Sequence, residues 1–177
     1  MGDEIQHIKD FKSHGSGKYN PNFPLNSRNV ILEEGVLIFH EETISIGNNV
    51  YVGHRTILKG YYNSKLIIGD NTWIGQDCFF HSAGGIIIGN RVGIGPKVNL
   101  LTSQHRPTNK KEAVLFSQLE FNPINIEDDS DIGIGTTILP GINIGKGAII
   151  AANALVNKNV PPYEIWGGVP AKQLKLR

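Results

Sequence analysis

The sequence has little cysteine. Cys78 is the only cysteine among 177 residues. A single cysteine excludes a disulfide within the chain and a metal cluster built from cysteines. Free cysteine usually behaves as a small buried hydrophobic residue, so we expect Cys78 to belong to the core.

The sequence also lacks a large net charge and a long apolar run. The 17 Lys and Arg residues nearly balance the 16 Asp and Glu residues, giving a formal net charge of +1. The sequence therefore carries no strong electrostatic signature of a nucleic-acid partner. No apolar stretch approaches the roughly 18 residues that a membrane span needs, and the opening MGDEIQHIKD contains no apolar segment of a secretory signal. We expect a cytoplasmic protein with no membrane span.

What the sequence does have is a repeat of six residues. An isoleucine or valine occupies every sixth position from 126 to 156, at 126, 132, 138, 144, 150 and 156. An amphipathic helix repeats near 3.6 residues and an exposed strand near two, so neither accounts for this spacing. A chain that turns a corner every six residues, and points the same position inward on each new face, does account for it. Hexapeptide repeats are typical of a parallel β-helix, which is the all-β fold that the spacing predicts.

A longer period of about 18 residues lies beneath the six-residue repeat. The apolar residues that recur every six positions and point inward are called the ladder residues. The residue after each of them is typically glycine at two successive corners and a different residue at the third, as in Gly69, Gly75 and His81. The pattern predicts a triangular coil whose third corner differs chemically from the other two. Insertions follow this third corner, at 59–65, 83–87 and 101–123. Insertions on one side of a repeat stack often mark its binding face.

The repeat divides the chain into three regions. Residues 1–30 carry no ladder and are expected to form an N-terminal extension, in which the spacing of the first apolar residues predicts a short helix. Residues 31–160 are expected to form the β-helix, with an extruded loop at 102–123. Residues 161–177 leave the repeat as a tail that would cap the open end, with a short final helix as one form of that cap.

The C-terminal part of the chain carries the most specific motifs. Ile132-Gly-Ile-Gly135 and Ile138-Leu-Pro-Gly141 precede Val160-Pro-Pro-Tyr-Glu-Ile-Trp-Gly-Gly-Val-Pro-Ala-Lys172. From Ile46 to Arg177 the sequence resembles the hexapeptide-repeat acyltransferases, in the branch of maltose, galactoside, capsular and lipopolysaccharide sugar O-acetyltransferases. The resemblance implies a left-handed β-helix, a homotrimer, and transfer of an acetyl group from acetyl-CoA to a sugar hydroxyl without a metal. The left-handed sense comes from the resemblance alone.

His105 is the candidate catalytic base. It lies in Leu101-Thr-Ser-Gln-His-Arg-Pro107, where the longest insertion leaves the coil. A histidine in this loop resembles the general base of the sugar acetyltransferases, with one extra residue before the proline. The chemistry needs such a group, because a hydroxyl attacks a thioester slowly and a neutral imidazole can accept its proton near pH 7.

His81 is the candidate acceptor-binding residue. By its position after the Ile74-Gly75 corner, it resembles an acceptor-binding asparagine of the sugar acetyltransferases, and a neutral imidazole still donates or accepts a hydrogen bond. Counting along the coil puts His81 at the start of the third face and His105 at its end, about 13 Å apart at 3.3 Å per residue. That distance is too long for both imidazoles of one chain to contact the same hydroxyl. We therefore expect the site to be completed between two subunits of a trimer.

Seven further positions resemble residues that contact acetyl-CoA. They are Ile134, Ala152, Asn157, Lys158, Trp166, Lys172 and Lys175. The resemblance assigns the first four to the pantetheine groove beside the last coils, with Ile134 acting through its backbone. Lys172 and Lys175 match arginines that face the nucleotide phosphates, while Trp166 would stack on adenine or, the reading we favour, anchor the tail. Asp131 departs from the pattern, because many relatives have tryptophan there.

Other functions stay open at this point. N-acetylation of a nucleotide-linked amino sugar is the first alternative. A xenobiotic acetyltransferase is less favoured because the His-x-x-Asp-Gly-Ser-Thr context is missing after His105. A γ-type carbonic anhydrase needs a zinc-ligating histidine where this chain has Lys110. A non-catalytic β-helix would bind no coenzyme A.

Overall fold

The computed structural model describes residues 10–11 and 27–177. Most of the expected N-terminal extension, with its short helix, therefore lies outside the described residues. The described part consists of short β-strands and two one-turn 3-10 helices, at Glu41–Thr43 and Val114–Phe116. In chain order the strands are β1 (Val30–Leu32), β2 (Leu37–Phe39), β3 (Ile44–Ile46), β4 (Val50–Val52), β5 (Ile57–Lys59), β6 (Leu66–Ile68), β7 (Trp73–Ile74), β8 (Phe79–His81), β9 (Ile86–Ile88), β10 (Gly93–Ile94), β11 (Asn99–Leu101), β12 (Ser103–His105), β13 (Leu119–Phe121), β14 (Ile124–Ile126), β15 (Asp131–Ile132), β16 (Thr137–Ile138), β17 (Asn143–Ile144), β18 (Ile149–Ile150), β19 (Leu155–Val156), β20 (Glu164–Gly167) and β21 (Lys172–Leu176).

All of these strands except β12 and β13 stack in three sheets that form the faces of a triangular prism. Sheet A has the order β1-β4-β7-β10-β15-β18-β20-β21, sheet B the order β2-β5-β8-β11-β16-β19, and sheet C the order β3-β6-β9-β14-β17. Along the chain, successive strands belong to sheets A, B and C in turn. Each strand pairs in parallel with the strand of the same sheet one coil later. The predicted β-helix is confirmed, and it is left-handed as the resemblance implied.

The prism axis is filled by the ladder residues. In sheet B the central residues Leu58, Phe80 and Leu100 are fully buried and lie in register. Cys78 is also part of the core, as expected, and its burial raises the pKa of its thiol to about 11. A single coil could not bury this surface, so the coils stabilise one another.

The glycine corners are explained by the close approach of successive coils. A Cβ added to Gly75 would lie 2.5 Å from the backbone nitrogen of Pro96, which follows the equivalent corner of the next coil. Ala151 occupies the last corner of the same column, where the tail rather than another coil follows. There Gly167 of the tail lies opposite Ala151, and a Cβ on Gly167 would lie 2.9 Å from the Cβ of Ala151. The absence of a side chain at Gly167 therefore leaves room for the Ala151 methyl group.

The tail caps the prism with strands, and the short final helix is wrong. β20 extends sheet A by pairing with β18, and β21 folds back antiparallel on β20. Unpaired edge groups of sheet A offered this segment backbone hydrogen bonds, which a helix would have left unused. No helix among the described residues is long and apolar enough to cross a bilayer.

The longest insertion forms an arm, residues 102–123. Its strands β12 and β13 pair antiparallel with each other and belong to none of the three prism sheets. The arm leaves the prism after β11 of sheet B and returns to β14 of sheet C. It therefore grows from the third corner, between sheets B and C.

The corner packing gives a stability prediction. Gly75→Ala should destabilise the protein by about 1–3 kcal/mol, because the new Cβ overlaps the backbone of the next coil. The measurement is the free energy of unfolding from denaturant titration. Ala151→Gly is the matched control at the end of the same column, and its cost should stay below about 1 kcal/mol. An unchanged Gly75→Ala protein would show that the corner has room for a side chain.

Candidate functional site

His81 lies at the third corner of the third coil. It is the last residue of β8, in register with Lys59 on one side and Leu101 on the other. Its inward neighbour Phe80 is buried, so the alternation of the strand points the imidazole outward. His81 thus ends a strand of sheet B, at the corner where the third face, sheet C, begins.

His105 lies on the arm, and its expected place at the end of a prism face is wrong. The arm breaks the prism pairing two residues after Leu101, and its own hairpin takes over. In that hairpin His105 pairs with Leu119 and Ser103 pairs with Phe121. Directly opposite residues of an antiparallel pair point to the same side, and positions two apart share that side. These four side chains therefore share one face of the arm.

That face of the arm closes one wall of a cleft at the third corner. The cleft has a volume of about 380 Å³. It is lined by Tyr61, Tyr62, Asn63, His81, Ala83, Ser103, Leu119 and Phe121. His105 lies next to this wall, directly opposite Leu119 on the same face of the arm. The structure thus brings the two candidate histidines to the same corner, with His81 lining the cleft and His105 beyond its edge.

The His105 imidazole is oriented by the backbone of the arm. Its Nδ1 lies 3.4 Å from the carbonyl oxygen of Ser117. A carbonyl oxygen can only accept a hydrogen bond, so Nδ1 carries the hydrogen in this contact. In the neutral ring the lone pair then belongs to Nε2. This tautomer is the one that a general base acting through Nε2 requires.

The His81 imidazole is held by residues of the first insertion. Its Nε2 lies 2.6 Å from the hydroxyl oxygen of Tyr61, and the two rings meet edge to face with centroids 5.0 Å apart. Lys59 places its Nζ 5.3 Å from the centre of the Tyr61 ring. Burial lowers the pKa of His81, and the positive charge of Lys59 lowers it further. His81 is therefore kept neutral.

Tyr61 and Lys59 are the site residues that sequence reasoning missed. The available signal was the insertion 59–65 directly after a third corner. It pointed to a binding face but could not show that a tyrosine within it reaches the histidine one coil later.

The seven coenzyme positions fall into three places around the C-terminal coils. Ile134 and Ala152 follow successive corners between sheets A and B, and Ile134 is 48% exposed. Asn157 and Lys158 are exposed at the third corner, in the same column as His81. The tail holds the other three, where Lys172 and Lys175 are exposed on β21.

Trp166 has the contacts of an anchor. Its indole Nε1 donates a hydrogen bond to Glu164 Oε2 at 2.7 Å, and its carbonyl accepts one from the backbone nitrogen of Ala151 at 2.7 Å. The ring is half-buried and packs against the core. These contacts tie the tail to sheet A.

Metal ligation has no visible basis in the part of the chain that the structure describes. Across residues 10–11 and 27–177, no group of three His, Cys, Asp or Glu side chains is placed to hold an ion.

Comparison with known proteins places these features in one family. The family model for the hexapeptide repeat of succinyl-transferase matches residues 65–95 and 123–158. A Schizosaccharomyces pombe protein classed as an acetyltransferase is 39% identical over 115 residues, which are 64% of this chain and 54% of that protein. The chain thus spans about half the length of that relative. Chloramphenicol acetyltransferase of Morganella morganii is 33% identical over 147 residues, covering 73% of this chain and 68% of the enzyme.

Solved structures of similar proteins have the same fold as this chain. A hexapeptide-repeat acetyltransferase of Vibrio cholerae, solved with acetyl-CoA, has 30% identity and a TM-score of 0.65 over 81% of this chain and 72% of its own. A maltose O-acetyltransferase of Clostridium difficile has 29% identity and a TM-score of 0.68 over 76% and 71%. AntD, an N-acyltransferase of Bacillus cereus, has a TM-score of 0.75 over 85% of this chain and 81% of its own, but 22% identity, which speaks for the fold alone.

The repeat, the three-sheet prism and the identity to relatives of known type lead to one assignment. The chain belongs to the hexapeptide-repeat acetyltransferase family.

Proposed function

We propose that the protein transfers an acetyl group from acetyl-CoA to a hydroxyl group of a saccharide, with His105 as general base. The observation that carries the proposal is the contact between His105 Nδ1 and the Ser117 carbonyl. It leaves the lone pair of Nε2 available to accept the proton of a reacting hydroxyl. The similarity to a maltose O-acetyltransferase supports a saccharide as the acceptor.

The reaction balances with one base. The acceptor oxygen attacks the thioester carbonyl and its proton passes to His105 Nε2. The tetrahedral intermediate then collapses, the carbon–sulfur bond breaks, and the coenzyme A thiolate takes up the proton from the imidazolium. A group that gains and returns a proton in this way works best with a pKa near the working pH.

His81 is assigned to the acceptor. Its pKa is lowered by burial and by Lys59, so the ring stays neutral and can share a hydrogen bond with a hydroxyl. Its Nε2 is already engaged by Tyr61, so the acceptor would meet the Tyr61–His81 pair rather than a lone imidazole.

Acetyl-CoA is assigned to the C-terminal half of the same corner. The third-corner column runs from His81 through Leu101 and Leu139 to Asn157. Three steps at the coil spacing of about 4.8 Å separate His81 from Asn157 by about 14 Å. The pantetheine chain of the coenzyme, lying along this column, would direct its thioester toward the arm of residues 102–123. Lys158 would lie beside the coenzyme. The acetyl-CoA complex of the Vibrio cholerae relative supports the choice of coenzyme.

A homotrimer is the proposed assembly, with the site completed between subunits. The tip of the arm exposes three consecutive apolar residues, Val114, Leu115 and Phe116, by 56%, 72% and 83%. Such a cluster is favourably removed from water by a neighbouring prism. The arm would then present His105 to a cleft that two chains share.

The general-base assignment predicts a loss of turnover. His105→Ala should lower kcat by about 10²- to 10⁴-fold, because the hydroxyl then loses its proton acceptor. Release of the coenzyme A thiol measures the rate against a panel of free, nucleotide-linked and amino sugars. Acetyl-CoA binding should be unchanged, and His54→Ala serves as the histidine control. Full activity of His105→Ala on a hydroxyl acceptor would refute the base, whereas transfer to amino sugars alone would favour N-acetylation.

The state of His81 predicts a titration. By NMR its imidazole should titrate below the ordinary range, and Lys59→Met should raise the pKa partway, since burial remains the larger cause. Because the pKa of His81 is lower in the folded protein, the unfolded chain binds the imidazole proton at a higher pH. Protonation of His81 therefore favours unfolding, and the free energy of unfolding should decrease as the pH falls below about 6.5. Lys97→Met, at a different corner, is the control and should leave the titration unmoved. An ordinary pKa for His81 in the native protein would contradict the neutral assignment.

The assembly predicts a size that depends on the arm. Sedimentation should show a trimer, and Phe116→Asp should shift the protein toward monomer with a parallel loss of activity. Val169→Asp, an equally abrupt change at a 72%-exposed residue of the tail, should leave the trimer intact. A fully active monomer would exclude a site shared between subunits.

A further inference from the structure

The cleft at His81 does not end at the corner. Asn63, Ala83 and Phe121 line both this cleft and a second one of about 440 Å³. The second cleft in turn shares Ile87 with a third of about 390 Å³. Because neighbouring openings share lining residues, we treat the three as one groove that passes around the corner onto the outer face of sheet C.

The floor of the groove runs across the strands. Ile67, Ile87 and Asn125 are the central residues of β6, β9 and β14, and they lie in register. Ile87 is 48% exposed although it is a large apolar residue. The coil spacing of about 4.8 Å puts one floor position on every coil. From Ile67 to the coil that carries Lys146, the groove extends over about 14 Å.

The edges of the groove are polar. Asn63, Ser64 and Lys65 stand at the end nearest His81, and Lys146 and Asp128 stand at the far end. Asn125 continues the floor with an amide, which donates to the Asn143 side chain of the next coil at 2.8 Å. A floor with two isoleucines and an amide, and with hydrogen-bonding groups at both ends, suits pyranose rings, whose C–H faces are apolar and whose rims carry hydroxyls.

We propose that this groove binds an extended saccharide chain whose reacting unit occupies the His81 cleft. The inference rests on the proposed function and narrows its acceptor to an oligomeric or polymeric saccharide. Two features favour a chain over a single sugar. The groove is continuous with the cleft that holds the candidate acceptor residue, and its floor repeats once per coil, so successive units meet successive coils.

The test compares acceptors of increasing length. Maltooligosaccharides and N-acetylglucosamine oligomers of one to six units serve as probes, with thiol release giving kcat/KM and calorimetry giving affinity. Both quantities should rise with length up to about four units and then level off, since the floor offers no further positions.

A block in the groove separates binding from chemistry. Ile87→Arg should weaken hexamer binding and kcat/KM by about tenfold while leaving the single-unit values unchanged. Ser45→Arg is the matched control, because Ser45 is the exposed central residue of β3 on the same sheet, one coil before Ile67 and outside the groove.

The outcomes divide cleanly. Equal affinity for one unit and six, or an equal effect of Ile87→Arg on both, would overturn the groove and leave the acetyl transfer standing. Length-dependent binding that Ile87→Arg abolishes, without acetyl transfer to any saccharide, would support the groove and count against the proposed reaction.

Discussion

The close parallel stacking of successive coils is the constraint on which the rest of the structure depends. Backbone hydrogen bonds join each coil to the next, as where the Gly75 nitrogen donates to the Ile94 carbonyl at 2.8 Å. At this distance a Cβ on Gly75, after sheet A, or on Gly47, after sheet C, would overlap the next coil. Backbone packing therefore favours glycine at two of the three corners, with exceptions such as Glu127 and Ala151, and most of the variation in sequence is left to the third.

The third corner carries the proposed site residues because most of its positions tolerate side chains and insertions. Lys59, His81 and Leu101 stand there one coil apart, with the spacing set by the backbone alone. The first insertion lays Tyr61 against His81, and the longest insertion carries His105 outward on the arm. The prism thus supplies fixed positions, and the insertions place Tyr61 and His105, two residues of the proposed site, around them.

The sequence was sufficient for the prism but not for its additions. Six-residue spacing and the glycine pattern predicted three faces and the distinct third corner, because each depends on contacts that recur every coil. The tail was mispredicted since β20 forms by pairing with β18, a partner outside its own repeat. His105 was placed on a prism face because counting residues assumed that the coil continues past Leu101, whereas β12 pairs with β13 instead. The Tyr61–His81 contact joins an insertion to another coil, and no periodicity encodes it.

The two histidines at this corner are not interchangeable, and their contacts decide their roles. His81 engages its Nε2 with Tyr61, and burial together with Lys59 lowers its pKa, which makes it a weaker base than an ordinary imidazole. His105 engages Nδ1 with a carbonyl, so the lone pair of its neutral form lies on Nε2. A proton acceptor needs that lone pair, whereas an acceptor-binding group needs to stay neutral. The side chain rooted in the prism therefore suits the proposed recognition, and the one carried by the arm suits the proposed proton transfer. Because Leu119 and Phe121 of the arm also line the cleft, a movement of the arm would change the position of the base and the shape of the acceptor site together.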